Sequence, residues 1–154
     1  MNKTENTNVQ PLVEAKSLKK HFQIKKAGTL HAVDGVSFKI MPGETLALVG
    51  ESGCGKSTVG NLVMRLLDPT DGELLFNGKN IYDAKGAESL ELCKKMQMIF
   101  QDPFSSLNPR KTVAKILAEP YEIHKMGNAE EIRKKVEALC DRVEFSKSLL
   151  DHYP

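Results

Sequence analysis

The feature that most constrains the fold is an apolar run that leads into a glycine-rich loop and then into an amphipathic segment. Residues 45–50 read TLALVG, residues 51–56 read ESGCGK, and apolar residues then recur at helical spacing up to Leu67. A continuous apolar run is typical of a parallel strand buried on both faces. The recurring residues predict the buried stripe of a helix. The sequence therefore predicts a strand, a loop and a helix in direct succession.

The loop matches the pattern G-x-x-x-x-G-K-[ST] at Gly50, Gly55, Lys56 and Ser57. Glycines let the backbone turn tightly so that successive amides point inward as an anion nest, and the following helix adds the partial positive charge of its N-terminus. We therefore predict a phosphate-binding loop. Lys56 is expected to reach the β- and γ-phosphates of a nucleotide, and the Ser57 hydroxyl to bind Mg²⁺.

The other residues of the loop complete the predicted binding site. Ser52 and Thr58 are expected to add contacts, and Gly53 and Cys54 lie inside the loop. The Cys54 thiol is assigned no chemistry, because a small residue suffices at its position. The alternative interpretation is a glycine-rich turn whose lysine faces solvent. Agreement between the spacing and the strand–loop–helix context favours the phosphate-binding interpretation.

Alternating apolar and polar residues predict two antiparallel strands before the loop, at residues 11–18 and 33–40, separated by a basic excursion around Gly28. A further strand is predicted at residues 73–78, a helix at 87–95 and another strand at 96–100. The chain then continues through a loop rich in proline, serine and asparagine into a helical region. That region is expected to kink or break near Pro120. Its last helix is expected to begin at Asn128 as the N-cap, with Glu131 as the capping-box partner, and to carry a buried stripe. The stripe comprises Ile132, Val136, Leu139 and Val143.

Composition limits the classes of partner. The 22 basic and 20 acidic residues leave a net charge of +2, too small a surplus to indicate nucleic-acid binding. Residues 1–10 are almost all polar, which predicts a disordered tail and no signal peptide. No apolar run approaches the ~20 residues of a membrane span. The three cysteines have no metal-ligand spacing, which is typical of reduced thiols in a cytosolic protein.

Two segments, VGESGCGKST and MQMIFQDPFSSLNPR, resemble the Walker A loop and the Q-loop of the nucleotide-binding subunits of ABC transporters. The second segment is particularly similar to the oligopeptide and dipeptide permease ATPases of the peptide and nickel importer branch. The resemblance implies an α/β fold: a P-loop NTPase core with an antiparallel β subdomain and the start of an α-helical subdomain. Residues 11–101 would form the core with its Walker A loop, and residues 102–154 the Q-loop segment and the beginning of the helical subdomain.

The resemblance also implies roles for residues outside the loop. Gln101 would be the Q-loop glutamine that contacts Mg²⁺ or the attacking water. Phe22 would be the A-loop aromatic that stacks on adenine, with strand-edge packing as its alternative role and His21 as a weaker candidate for the same place. A group of residues after the Q-loop would lie near the contact with the membrane permease; its members are Phe104, Ser105, Leu107 and Pro109.

The function implied is that of the ATP-binding subunit of an importer, with ATP and Mg²⁺ as ligands. Its partners would be the permease subunits and a second ATPase subunit, identical or different, that closes over two nucleotides. It would lie on the cytoplasmic side of the membrane, attached through the permease. The sequence has no LSGGQ-like loop, no Walker B strand and no switch histidine. We therefore expect the front part of a longer protein, with unpaired strand flanks, that binds nucleotide at best.

Three alternatives belong to other classes. A P-loop GTPase needs an N-K-x-D motif, which the NGKN of residues 77–80 does not supply. A nucleotide kinase normally carries arginines in a lid over the phosphates, whereas the arginines here are scattered. A non-hydrolysing interaction module would show no response to nucleotide. The SLLD that ends at Asp151 lacks the glutamate of a Walker B strand and is predicted to be helix or loop.

Overall fold

The computed structural model describes residues 10–103 and 106–154 and divides them into two compact units. The first ends at Gln97 and the second begins at Met98. Most of the predicted disordered tail, residues 1–9, lies outside the described residues, as do Phe104 and Ser105. The domain boundary predicted after Gln101 stays a prediction.

A four-stranded antiparallel sheet forms the first unit, with strand order β2-β1-β3-β4. Its strands are β1 (Val13–Ile24), β2 (Gly28–Ile40), β3 (Asp71–Phe76) and β4 (Lys79–Asn80). The two predicted N-terminal strands are present and both are longer than expected. The predicted basic excursion is wrong, because its residues pair across the β1–β2 hairpin, Phe22 opposite Leu30.

The core of the first unit joins this sheet to helix α1 (Lys56–Val63). Leu62 of α1 is fully buried, and its carbonyl accepts a hydrogen bond of 2.7 Å from the Tyr82 hydroxyl. Burial raises the pKa of Tyr82 to about 12. Leu66, predicted to lie on the buried stripe, is 55% exposed because α1 ends at Val63. A 3₁₀ turn (Ile81–Asp83) and the predicted helix, α2 (Ala87–Lys95), complete the unit.

Neither the predicted buried strand at residues 45–50 nor the predicted strand at residues 96–100 forms. Residues 45–50 and residues 96–100 adopt no strand structure, and Val49 and Ile99 are 87% and 93% exposed. A parallel strand is stable only when its neighbours satisfy its backbone hydrogen bonds. No strand in the described part of the chain pairs with either segment. The apolar composition of each run is therefore compatible with a strand. No neighbouring strand among the described residues supplies the hydrogen bonds that a strand would need.

The second unit consists of helices α3 (Val113–Ile123) and α4 (Ala129–Arg142) followed by a 3₁₀ turn (Lys147–Leu149). Of the expected kink or break near Pro120, the break does not occur, because α3 continues through the proline. Pro120 removes one helical hydrogen bond because proline has no N–H, but its carbonyl still accepts a bond of 3.1 Å from the amide of His124. The SLLD segment is a turn and not a strand, as predicted. No helix in residues 10–103 or 106–154 is both long and apolar enough to cross a membrane.

Helix α4 begins with the capping box that the sequence predicts. The Asn128 side chain accepts a bond of 3.0 Å from the Glu131 amide, and the Glu131 carboxylate accepts one of 2.9 Å from the Asn128 amide. Ile132 and Val136 are buried as predicted. Val143 is 64% exposed because α4 ends before it, and Cys140 is fully buried instead.

The capping box yields a prediction for the stability of the second unit. Asn128→Ala is expected to destabilise α4 by about 1 kcal/mol, since it leaves first-turn amides without an acceptor. Asn128→Ser keeps a capping oxygen and is the matched control. Amide hydrogen exchange along residues 129–142 measures the effect in both variants. Equal exchange rates in the two variants would show that the cap contributes nothing.

Candidate phosphate-binding site

The glycine-rich loop is held against strand β2 by a contact that admits only glycine. Gly55 has φ +97° and is the N-cap residue of α1. A Cβ atom at this position would lie 2.3 Å from the carbonyl oxygen of Ala32 in β2. Gly53, two residues earlier, also lies in the left-handed region at φ +82°. The spacing of the motif is thus explained by backbone geometry and by the close approach of two segments.

The first turn of α1 presents backbone amides for which the described residues supply no acceptor. Gly55 has no side chain to cap them, and the turn contains no acidic residue. The helical ladder begins only when the Val59 amide donates to the Gly55 carbonyl at 2.9 Å. The preceding amides, including those of Lys56, Ser57 and Thr58, therefore have no intrahelical acceptor. Together with the helix dipole, they favour a negatively charged ligand at this end.

The Lys56 side chain folds over its own loop. Its ammonium group donates to the carbonyl oxygens of Gly50 at 2.8 Å and Glu51 at 2.5 Å, and lies 3.5 Å from the Cys54 sulfur. This geometry differs from the alternative interpretation of the loop, in which the lysine extends into solvent. The loop therefore holds a positive charge as well as free amides, both of which attract phosphate.

A cleft of about 350 Å³ opens beside the loop. The structure brings most of the predicted binding residues to it: Phe22, Gly53, Cys54, Gly55, Lys56, Ser57 and Thr58. Gly50 and Ser52 are not in its lining; Gly50 takes part through its carbonyl bond with Lys56. On the β1 side, the Lys20 ammonium lies 5.3 Å from the centroid of the Phe22 ring.

Leu30, His31 and Ala32 also line this cleft and were missed by the sequence reasoning. The signal that could have found them is the strand pairing of the hairpin, which places Leu30 opposite Phe22. Residues 19–32 were predicted to be an excursion and not a hairpin, so the pairing of Leu30 with Phe22 was not predicted. Beside the cleft, a hydrogen bond with His21 lowers the pKa of the Asp34 carboxyl.

Gln101 is placed in an exposed turn of the second unit. Its predicted role toward Mg²⁺ or water therefore stays a prediction. Two clefts of larger volume, about 400 Å³ beside α2 and about 500 Å³ between α3 and α4, contain none of the predicted site residues. The loop is therefore the candidate site because of its chemistry and not because of the size of its cleft.

A glycine loop that leads into a helix N-terminus, with its lysine folded over it, defines the class of P-loop proteins. The model of the ABC transporter family matches residues 33–152, and the chain belongs to that family. Among solved structures, it is similar to the ATP-binding cassette MJ0796, solved as a dimer in a post-hydrolysis state bound to ADP and Pi. The TM-score is 0.74 at 25% identity, over 92% of this chain and 61% of that one.

Among curated proteins, the chain is 51% identical over 147 residues to the oligopeptide transport ATP-binding protein OppF of Bacillus subtilis (strain 168). That alignment covers 94% of this chain and 48% of OppF. It is 43% identical over 149 residues to the dipeptide transport ATP-binding protein DppF of Haemophilus influenzae, over 94% of this chain and 46% of DppF. The chain thus spans about half the length of these relatives.

The contact between Gly55 and Ala32 can be tested by stability. Gly55→Ala is expected to cost at least about 1 kcal/mol, because alanine is strained in the left-handed region and its Cβ meets the Ala32 carbonyl. Gly60→Ala is the matched control: it lies within α1 with nothing near its Cβ position. It should be neutral or stabilise the chain by up to about 1 kcal/mol. Thermal unfolding without nucleotide measures both, and equal melting temperatures would contradict the contact.

Proposed function

We propose that the chain is the nucleotide-binding part of an ATPase subunit that powers an ABC importer of oligopeptides or dipeptides. The observation that carries the proposal is the cleft in which Phe22 of β1 faces residues 53–58 of the loop. It combines an aromatic ring with a phosphate-binding loop at one place, in a chain of the ABC transporter family. The peptide substrates are supported by the names of the relatives.

The triphosphate is proposed to lie in the loop with its oxygens on the free amides at the start of α1. Lys56 has three N–H donors, and they face two carbonyls and a sulfur of the loop. A phosphate oxygen that replaces the Cys54 sulfur, the weakest of these acceptors, would form a bond in which both groups are charged. Lys56 therefore stabilises the charge of the β- and γ-phosphates from a position that it already holds.

The residues present also fit a magnesium ion. Mg²⁺ usually binds to one or two protein oxygens together with substrate phosphates and water. Ser57 is exposed, lines the cleft and lies in the first turn of α1, so its hydroxyl can supply such an oxygen next to the phosphates. When bound, the ion would neutralise phosphate charge. Gln101 is proposed as a second ligand, or as the group that orients the attacking water.

The base is proposed to stack on Phe22. Its ring is half-buried on β1, and the Lys20 ammonium lies over it. An adenine would therefore use the free face of the ring, or displace the lysine. Leu30 opposite Phe22 adds an apolar surface to the same cleft. These contacts supply affinity for a base, while the loop supplies affinity for the phosphates.

For the complete transporter, we propose that two such subunits close over two nucleotides and reopen after hydrolysis. This is supported by the dimeric state in which the similar cassette MJ0796 was solved. The second unit, with Leu107 and Pro109 at its start, would meet the permease and hold the subunit at the cytoplasmic face of the membrane. Because the 154 residues contain no signature loop, Walker B strand or switch histidine, this chain should bind nucleotide with little turnover.

The proposal predicts that a fluorescent ATP analogue binds the chain in the presence of Mg²⁺. Lys56→Ala should weaken binding at least about tenfold, because it removes a charge-assisted bond worth about 1.5–3 kcal/mol. Lys79→Ala is the matched control, since Lys79 is an exposed lysine of the same unit that lies outside the cleft. Equilibrium titration of the three proteins gives the comparison.

The same titration separates the alternatives. Displacement of the analogue by ATP more readily than by GTP supports the ATPase assignment, whereas a preference for GTP would favour a GTPase. Equal affinity of the wild type and Lys56→Ala would count against the site itself. Absence of any binding, with no nucleotide-dependent change in melting temperature, would favour an interaction module.

A further inference from the structure

We propose that His21, His31 and Asp34 form a binding site for a divalent transition-metal ion, with Zn²⁺ as the expected occupant. The three side chains meet on the β1–β2 hairpin, and the proposed function uses none of them as a ligand. One potential donor atom from each lies within 4.8 Å of the other two.

The backbone of the hairpin explains why these residues meet. His21 and His31 are directly opposite each other in the antiparallel register. Directly opposite side chains lie on the same face of a sheet, with Cβ atoms about 4.5–5.5 Å apart. The two imidazole rings accordingly stack, with centroids 3.9 Å apart and an angle of 29° between their planes.

Asp34 joins the histidines because of an irregularity in β2. Residues three apart on a regular strand point to opposite faces. Here the register shifts between the Lys20–Val33 pair and the His21–His31 pair, so that Ala32 is an extra residue on β2. A bulge of this kind changes the face of the sheet to which the following side chains point. Val33 accordingly enters the core, and Asp34 lies on the face that carries the histidines.

The distances suit a metal ion. The Nε2 atom of His21 lies 3.2 Å from Oδ1 of Asp34, and the Nδ1 atom of His31 lies 3.6 Å from Oδ2. Tetrahedral zinc with bonds of about 2.0–2.1 Å places its ligand atoms roughly 3.3 Å apart. Each imidazole nitrogen thus lies close to this separation from a different oxygen of the Asp34 carboxylate, so the carboxylate would bind the ion through both oxygens or turn to present one of them.

Lys19 and Lys20 of β1 have partners other than the Asp34 carboxylate. Lys19, its partner across the ladder, forms an ion pair of 3.1 Å with Asp71. Lys20 donates to the carbonyl of Asp68 at 2.6 Å. The carboxylate therefore faces the two imidazoles.

The donor set determines the class of ion. Imidazole favours zinc, nickel and copper, whereas magnesium and calcium prefer oxygen ligands. The side chains of His21, His31 and Asp34 are 21%, 54% and 58% exposed, so water could complete the coordination. Because His31 also lines the cleft beside the phosphate-binding loop, the ion would lie next to that cleft.

Calorimetric titration of the reduced, nucleotide-free chain with ZnCl₂ tests the site. One equivalent is expected to bind, and Asp34→Asn and His31→Gln should each weaken Zn²⁺ binding at least tenfold. His152→Gln and Cys93→Ser are matched controls, since they remove an exposed histidine and an exposed thiol elsewhere in the chain. The proposal is overturned if no saturable binding occurs, or if the control substitutions weaken binding as much as the ligand substitutions do.

A second measurement needs no variant and so does not depend on the variants folding. Substoichiometric Ni²⁺ should broaden the imidazole NMR signals of His21 and His31 before those of His124 and His152. Equal broadening of all four histidines would overturn the proposal. Neither measurement uses nucleotide, so failure of this site and failure of the proposed ATP site are distinguishable.

Discussion

The approach of Gly55 to the Ala32 carbonyl is the contact on which the candidate site depends. It fixes the loop against the hairpin at Ala32, an extra residue of β2. Gly55 is also the left-handed N-cap residue from which α1 begins. With any larger residue at position 55 the loop would have to withdraw from β2. The cleft between Phe22 and the first turn of α1 would then lose its shape, although every residue that lines it would still be present.

The sequence predicted those parts of the structure that depend on local chemistry. The spacing from Gly50 to Ser57 specified the loop, because glycine, lysine and hydroxyl positions act within a few residues of one another. The cap at Asn128 was predicted for the same reason, since its partner Glu131 is three residues away. Features whose cause lies within a single turn of backbone can be read from a short stretch of sequence.

Features that depend on pairing between distant residues were less predictable. The extra residue at Ala32 has no signature in the sequence, yet it decides which side chains of β2 face the cleft and which face the core. Residues 45–50 and 96–100 have the composition of buried strands but no partner strand among the described residues. Apolar composition gives a segment the ability to form a strand, and only a neighbouring ladder makes it one.

The contrast among the three cysteines offers a way to observe the two units separately. Cys54 and Cys93 are exposed in the first unit, whereas Cys140 is fully buried in the hydrophobic cluster of the second. An alkylating reagent modifies the exposed thiols directly, but it reaches Cys140 only when α4 separates from its packing partners. The rate of the slow phase of thiol modification thus reports the opening of the helical unit alone.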